Sequence, residues 1–276
     1  MYKRQEPKIV SVLPLGGQQG SSFEIKVKGR SLKRCHTIWF ENKEVTGSIK
    51  KLEVIENKST KTKDALAEYG VETVHPDYVA FIKITVSKDA SSGLHLFRLV
   101  TPAGISNALA LQVVTEPIII ETNYSHESAA KAQPLLLPAV VNGVLFKKGE
   151  QDFYSFEVPV GSEIQFEVQS DQGIKSGYNA EASITLYKKS GSWFDPEKIV
   201  RLEIDGPALS WEPIHRYKRI TSPARWTIFR RFTHRFESKG PHILSVQTFL
   251  GNADPDHGYQ LRIVPLKKSH YSWNII

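Results

Sequence analysis

Basic and aromatic residues are interleaved in residues 214–236, a composition that can bind acidic polymers. The basic members are His215, Arg216, Lys218, Arg219, Arg225, Arg230, Arg231 and Arg235, and the aromatic members are Tyr217, Trp226, Phe229, Phe232 and Phe236. Successive side chains of a β-strand point to opposite faces, so the rings would divide between core and surface. The spacing therefore favours a solvated basic face of a sheet. An acidic polysaccharide or lipopolysaccharide surface is the second interpretation, and we expect no nucleic acid as a partner.

Two further aromatic residues, Trp193 and Trp211, each lie in a segment that ends on a proline, as loops often do. An exposed indole ring stacks on the face of a sugar or anchors a protein interface, whereas a buried one closes the end of a sandwich. We take Trp193 and Trp211, together with Arg225 and Trp226, as the candidate ligand-binding residues.

Catalytic motifs are absent from the sequence. It contains no His-Glu-x-x-His pair, no Gly-x-Ser-x-Gly elbow, no glycine-rich phosphate loop and no paired cysteine spacing. Cys35 stands between Arg34 and His36, whose charges would lower the pKa of an exposed thiol. A small, half-buried side chain is the more ordinary role beside a strand. We expect no catalytic residue and a protein that is not an enzyme.

The elements that must position these residues are β-strands, because short alternating apolar and polar runs recur between Gly, Pro, Asn and Ser. Before Pro117 the runs are 9–13, 23–27, 37–41, 79–86, 95–100 and 108–114. After it they are 140–146, 152–158, 163–169, 182–187, 199–204, 227–232, 242–249 and 259–264. The pattern predicts an all-β protein of two tandem antiparallel β-sandwiches, the second with the strands of a jelly roll. One helix is predicted, over 62–69.

The length of the chain predicts two domains, since 276 residues exceed the usual size of one. Pro117 interrupts the strand pattern, so we place the first domain at 1–115 and the second at 116–266, followed by a tail at 267–276. Lysines cluster between the strands of the first domain, and their charges would resist burial. They predict an exposed insertion near 46–76.

Charge and apolar content narrow the range of partners. The net charge of +7 permits an acidic partner without requiring one, and a single cysteine excludes an intrachain disulfide. No apolar run approaches the roughly 20 residues of a membrane helix, so we expect no membrane span. The basic start has no apolar stretch behind it, so we expect no signal peptide within this chain.

The two halves of the chain each resemble a known family of domains. Residues 7–17, with Phe23, Ile25 and Val27 alternating after them, resemble the start of IPT/TIG domains, and 93–107 resemble their last hairpin. Residues 141–145, 151–156 and 236–263 resemble the bacterial pre-peptidase C-terminal (PPC) domain, a module appended to secreted proteases and collagenases. The resemblance implies an immunoglobulin-like sandwich followed by a jelly roll.

The PPC resemblance also implies a calcium site, because acidic residues hold calcium in collagen-binding members of that family. The matching positions are Glu121 and Asn123 at the domain entrance, with Glu150 and Asp152 as the acidic pair before Phe153. Three carboxylates and an amide supply about half of the six to eight oxygen ligands that calcium takes. Calcium is thus the one candidate cofactor.

Three residues depart from the family pattern at this entrance: Ile119, Thr122 and Tyr124. The alternative is that Glu121 and Asn123 cap a turn into a short helical segment at 125–131.

The tandem order of the two domains resembles an arrangement found in large bacterial exported proteins. It implies a non-catalytic extracellular binding or spacer module that presents loops to a glycan or a protein surface, beside neighbouring domains of a larger parent chain. The expected location is extracytoplasmic: secreted, periplasmic or cell-surface. The alternative is an accessory region of an exported hydrolase, a protease or glycosidase, whose catalytic domain lies outside this chain.

Overall fold

The computed structural model of the protein describes residues 6–56, 75–121, 126–170, 182–188, 197–202, 219–222, 225–248, 256 and 258–266. Between 197 and 230 it describes the backbone alone. Within these ranges no helix is long and apolar enough to cross a membrane.

Strands dominate the described residues, which confirms the all-β prediction. The amino-terminal half contains β1 (Lys8–Leu13), β2 (Gly16–Gln18), β3 (Ser22–Arg30), β4 (Thr37–Phe40), β5 (Val45–Val54), β6 (Tyr78–Val86), β7 (Gly93–Thr101), β8 (Gly104–Ile105) and β9 (Leu109–Val114). The carboxy-terminal half contains β10 (Ile118–Ile120), β11 (Gln133–Pro134), β12 (Ala139–Val144), β13 (Gln151–Val158), β14 (Glu163–Ser170), β15 (Ala182–Lys188), β16 (Glu197–Leu202), β17 (Arg219–Ser222), β18 (Arg225–Arg235), β19 (Gly240–Thr248) and β20 (Gly258–Pro265). A short 3₁₀ helix covers Ala129–Lys131.

The amino-terminal sandwich, as we name residues 8–114, packs one sheet of order β1-β3-β6-β5 against a second of order β2-β9-β7-β4, to which β8 is added. Alternation along β3 sends Ile25 and Val27 into the core, where both are fully buried. Phe97 of β7 is also fully buried and packs on Phe40 with ring centroids 5.7 Å apart. Every side chain of this core cluster is apolar or a thiol.

The carboxy-terminal sandwich, residues 118–265, has sheets of order β10-β12-β20-β14-β18-β17 and β11-β13-β19-β15-β16. Phe156, Phe166 and Phe236 form an aromatic centre, with the ring of Phe156 lying 5.8 and 5.9 Å from the other two. β10 pairs with β12 in parallel, so the chain enters this sandwich along an edge of its larger sheet. The residue after β10, Glu121, is thereby carried to the end of β12.

The insertion predicted near 46–76 is in part a strand. Residues 45–54 form β5, which pairs along its length with β6. Its lysines face solvent while Ile49 and Leu52 pack against the core, and a register shift between Ile49 and Lys51 accommodates the uneven spacing. The rest of the predicted insertion, from 57 to 74, lies outside the described residues. The predicted helix at 62–69 and the tail at 267–276 lie outside the described residues, and the predicted junction lies between β9 and β10.

Candidate functional site

A cleft of about 580 Å³ lies between the two sandwiches. Alternation along β3 produces one wall, because the residues between its core positions point outwards. The lining side chains of this wall include Ser11, Leu13, Glu24, Lys26, Lys28 and Phe81. The facing wall comes from the strands around β12 and includes Ile120, Glu121, Asn142, Phe146, Asp256 and Tyr259.

The cleft combines aromatic rings with charged groups. Lys26 Nζ lies 5.9 Å from the centroid of the Phe81 ring, within the range of a cation–π contact. On the facing wall Phe146 is 37% exposed. Lys28 forms an ion pair with Asp256 across the cleft, and Asn142 Nδ2 donates a hydrogen bond to the Gly16 carbonyl at 3.3 Å. Polar contacts thus join the two walls.

A buried cluster of Glu121, His126 and Asp152 lies behind the second wall. One atom from each side chain that could bind a metal lies within 4.8 Å of the corresponding atoms of the other two. The residues are 8%, 3% and 1% exposed, respectively. The backbone positions them, since Glu121 N donates to the Asn142 carbonyl at 3.0 Å, and Phe153 N donates to the His126 carbonyl at 2.9 Å.

Each carboxylate of the cluster has one oxygen held by a protein donor. Val144 N donates to Glu121 Oε2 at 2.9 Å, and the Tyr259 hydroxyl donates to Asp152 Oδ2 at 2.7 Å. The other oxygens face the imidazole of His126, with Glu121 Oε1 2.7 Å from Nε2 and Asp152 Oδ1 3.9 Å from Nδ1. Despite the short contact, Glu121 Oε1 and both ring nitrogens lack a well-formed hydrogen bond.

Gly143 is required for this packing. A Cβ at this position would lie 2.4 Å from the Tyr259 hydroxyl oxygen and 2.8 Å from Glu121 Oε2. Both distances are shorter than van der Waals contact, so a larger residue would displace the tyrosine or the carboxylate. Glycine at this position therefore allows Glu121 and the Tyr259 hydroxyl to approach β12 closely.

Burial dominates the electrostatics of the cluster. Burial, together with the charge of Glu121, raises the pKa of Asp152 to about 7, against the opposing effects of Tyr259 and His126. Burial by itself would lower the pKa of His126, but contact with Glu121 and the charge of Asp152 outweigh it and raise that pKa. Burial also raises the pKa of Tyr259, which keeps its hydroxyl a donor. Asp152 is therefore harder to ionise than an ordinary aspartate, and His126 is easier to protonate than an ordinary histidine.

Of the four residues in the expected calcium set, the structure brings Glu121 and Asp152 together. Glu150 is also buried, but its Oε2 accepts a hydrogen bond from Lys147 N at 2.5 Å, within the turn before β13. Asn123 lies outside the described residues. In the neighbouring segment 126–131 the only regular element is the 3₁₀ turn, and the preceding Ser128 makes no side-chain capping bond.

The candidate ligand-binding residues lie elsewhere in the chain. Trp193 and Trp211 are outside the described residues. Arg225 and Trp226 begin β18, where the backbone pairs them with Ser222 and Thr221 of β17.

Neither His126 nor the cleft was predicted from the sequence. His126 belongs to no strand or recognised motif, and its only signal is that it follows Glu121 by five residues. The cleft residue Lys26 had a signal in the alternation of β3, but that pattern shows only that the side chain leaves the core. The wall that it faces is distant in sequence.

Comparison with known proteins gave matches among solved structures alone, since no protein-family model and no curated protein matches the chain. The pre-peptidase C-terminal domain of collagenase from Bacillus anthracis is 16% identical, over 48% of this chain and 93% of that one, with a TM-score of 0.27. SGBP-B from a xyloglucan utilization locus of Bacteroides uniformis is 9% identical, over 94% and 73%, with a TM-score of 0.26. A carbohydrate-binding module of the β-sandwich superfamily is 10% identical, over 96% and 100%, with a TM-score of 0.26. No family membership follows from these matches.

Proposed function

We propose that the chain is a non-catalytic, extracytoplasmic binding module of a larger protein, with domains at 1–115 and 116–266, and that it binds an acidic glycan in the cleft. The observation that carries this proposal is the pairing of aromatic and cationic groups in one concave site. Lys26 and Phe81 stand on one wall, and Phe146 on the other.

Sugar recognition requires both kinds of group. The apolar face of a sugar ring packs on an aromatic ring, and its hydroxyl or carboxylate groups need hydrogen-bonding partners. Phe81 and Phe146 supply the rings. Lys26 is exposed and supplies an ammonium donor for a carboxylate or sulfate group. A volume of about 580 Å³ lies in the range of sites for small ligands, which corresponds to a few sugar units.

A binding role without catalysis agrees with the accessibility of the buried cluster. His126 is 3% exposed and Asp152 is 1% exposed, so neither meets a ligand in the cleft. General acid–base catalysis requires such groups within hydrogen-bonding distance of the substrate. The extracytoplasmic location rests on the resemblance to exported modules and on the single cysteine.

A glycan array with neutral, uronic acid-containing and sulfated glycans tests the proposal. We expect the wild-type chain to bind acidic glycans, and Phe81→Ala and Lys26→Gln each to weaken binding about tenfold, the equivalent of 1.4 kcal/mol. Trp39→Ala is the matched control, since this indole is 49% exposed on β4, outside the cleft.

The loop tryptophans provide the competing outcome. If Trp193→Ala or Trp211→Ala abolishes glycan binding while Phe81→Ala does not, the ligand binds the predicted loops and the cleft is the wrong site. Binding of no glycan on the array would contradict the proposal as a whole.

A further inference from the structure

We propose that Glu121, His126 and Asp152 form a binding site for a divalent transition-metal ion of the zinc type. The proposal does not depend on glycan binding. It differs from the calcium site implied by resemblance in its ion and in its ligands, because it includes His126 and omits Glu150.

In each carboxylate of the cluster, one oxygen accepts a hydrogen bond from the protein and the other lies beside His126. Glu121 Oε2 and Asp152 Oδ2 are held by Val144 N and the Tyr259 hydroxyl. Their second oxygens lie beside the imidazole of His126, Glu121 Oε1 at Nε2 and Asp152 Oδ1 at Nδ1. Ligand carboxylates in metal sites are oriented in this way by hydrogen bonds from outside the coordination sphere.

The atoms of Glu121 and His126 that face each other are buried without a well-formed hydrogen bond. Leaving Glu121 Oε1 and the nitrogens of His126 in this state costs folding free energy unless another partner satisfies them. The 2.7 Å contact between Oε1 and Nε2 is short enough for a hydrogen bond but lacks its angle. A metal ion at this position would bind Glu121 Oε1 and one ring nitrogen of His126 together and so satisfy both.

The spacing of the candidate ligand atoms can be compared with the spacing of ligands around a zinc ion. Zinc binds nitrogen and oxygen at about 2.0 to 2.2 Å, which places tetrahedral ligands about 3.3 to 3.5 Å apart. Glu121 Oε1 lies 2.7 Å from Nε2 of His126, and Asp152 Oδ1 lies 3.9 Å from Nδ1, so the two contacts involve different ring nitrogens. One ligand atom from each of the three residues nevertheless lies within 4.8 Å of the other two. Rotation of the imidazole and of the carboxylates would bring one ring nitrogen and two oxygens around one ion. Water can take the fourth position, because Glu121 also lines the cleft.

The ligand chemistry selects the ion. Calcium takes six to eight oxygen ligands, whereas one imidazole and two carboxylates are ligands suited to zinc and its neighbours in the first transition row. A divalent ion would also supply the positive charge that two buried carboxylates share. It would tie the residues after β10 to β13 and so fix the wall of the cleft to which Glu121 belongs.

The test is calorimetric titration of the chelator-treated, full-length chain with zinc sulfate and, separately, with calcium chloride. We expect zinc to bind with one-to-one stoichiometry and to raise the melting temperature, as a ligand of the native state does. We expect calcium at the same concentrations to do neither. Absence of zinc binding, or calcium binding of equal affinity, would overturn the proposal.

Variants assign the ligands. His126→Gln and Asp152→Asn should each weaken zinc binding at least a hundredfold, whereas Glu150→Gln, a buried carboxylate outside the ligand set, should leave it unchanged. Circular dichroism verifies that each variant folds. If a variant does not fold, the absorption spectrum of wild-type chain loaded with cobalt(II) decides: intense visible bands of a four-coordinate ion support the site, and a weak octahedral spectrum contradicts it.

Discussion

The two sandwiches differ in what they bury. Among the described residues, the amino-terminal sandwich buries four polar side chains, namely Ser11, His95, Thr101 and Ser106. The carboxy-terminal half buries fifteen, five of them carboxylates. His95 is satisfied by Asn42 at 2.9 Å and by the Ser91 carbonyl at 2.8 Å, whereas the buried nitrogens of His126 are not.

This difference suggests that the two sandwiches have different roles, the amino-terminal one as a structural support and the carboxy-terminal one as the location of the candidate metal site. Buried polar groups cost free energy unless they are paired, and buried charges cost more. The amino-terminal sandwich buries Gln112 Oε1 without a hydrogen bond, but no carboxylate is buried among its described residues, and it contributes an outer sheet face to the cleft. The carboxy-terminal sandwich buries several polar groups, and three of them, Glu121, His126 and Asp152, form the cluster beside the cleft where we propose the metal site.

The largest effect we expect is in the apolar core of the amino-terminal sandwich. Phe97→Ala should lower the free energy of unfolding by about 3 to 5 kcal/mol, because the lost ring leaves a cavity in a close-packed core. Trp39→Ala, on the exposed side of the same sheet, should cost less than about 1 kcal/mol. Denaturant titration measures both. Equal losses would show that the core is not packed as described.

The next effect has the opposite sign in the two sandwiches. In metal-free protein, Asp152→Asn should raise the free energy of unfolding by about 1 to 2 kcal/mol, because it removes one of two facing, buried negative charges. The amide oxygen can still accept the Tyr259 hydroxyl. Ser106→Ala should instead lower it by about 1 to 2 kcal/mol, since Leu99 N would lose its 2.9 Å acceptor.

Both changes are measured by denaturant titration in the presence of a chelator. If Asp152→Asn destabilises the metal-free chain as much as Ser106→Ala does, the cluster is an ordinary satisfied network and the contrast between the sandwiches fails.

Two ion pairs give a smaller contrast. Arg262 and Glu116 are 28% and 12% exposed, whereas Lys51 and Glu53 are 65% and 40% exposed. Double-mutant cycles should give a coupling of about 1 to 2 kcal/mol for the first pair and less than about 0.5 kcal/mol for the second. Similar couplings would mean that burial does not distinguish them.

The first coupling should also depend on pH. Burial opposes ionisation of Glu116, but its hydrogen bond with Arg262 outweighs burial and lowers the pKa of that carboxyl. A carboxyl with a lowered pKa in the folded state stabilises the fold above its unfolded pKa, about 4.3 for glutamate. The coupling should therefore be complete at neutral pH and should disappear as the pH falls below that value.

The smallest effect concerns thiol reactivity. Burial raises the pKa of Cys35 to about 11, although a backbone hydrogen bond from Thr37 opposes it. Thiolate is the reacting form, so a disulfide reagent at neutral pH should modify the native chain slowly and the denatured chain rapidly. Fast modification of native protein would show that the amino-terminal core opens readily.

The sequence predicted the strands well, because alternation is a local signal. The run at 23–27 lies within β3, and the run at 152–158 lies within β13. The strand at 45–54 was not predicted, because its charged residues hide the alternation and only Ile49 and Leu52 pack against the core.

The site was less accessible to sequence reasoning. Glu121 and Asp152 were found through resemblance, but His126 reaches them through a backbone contact to Phe153 that no periodicity encodes. The cleft depends on the approach of two sandwiches, with Lys28 and Asp256 meeting from positions 228 residues apart. Such pairs are set by tertiary packing.

The most direct test of the account is anomalous diffraction at the zinc absorption edge, from crystals of the full-length chain grown with zinc. We expect one strong anomalous peak, about 2.0 to 2.2 Å from atoms of Glu121, His126 and Asp152, in the carboxy-terminal sandwich beside the cleft. No peak at this cluster, with zinc present only at surface histidines or absent, would contradict it.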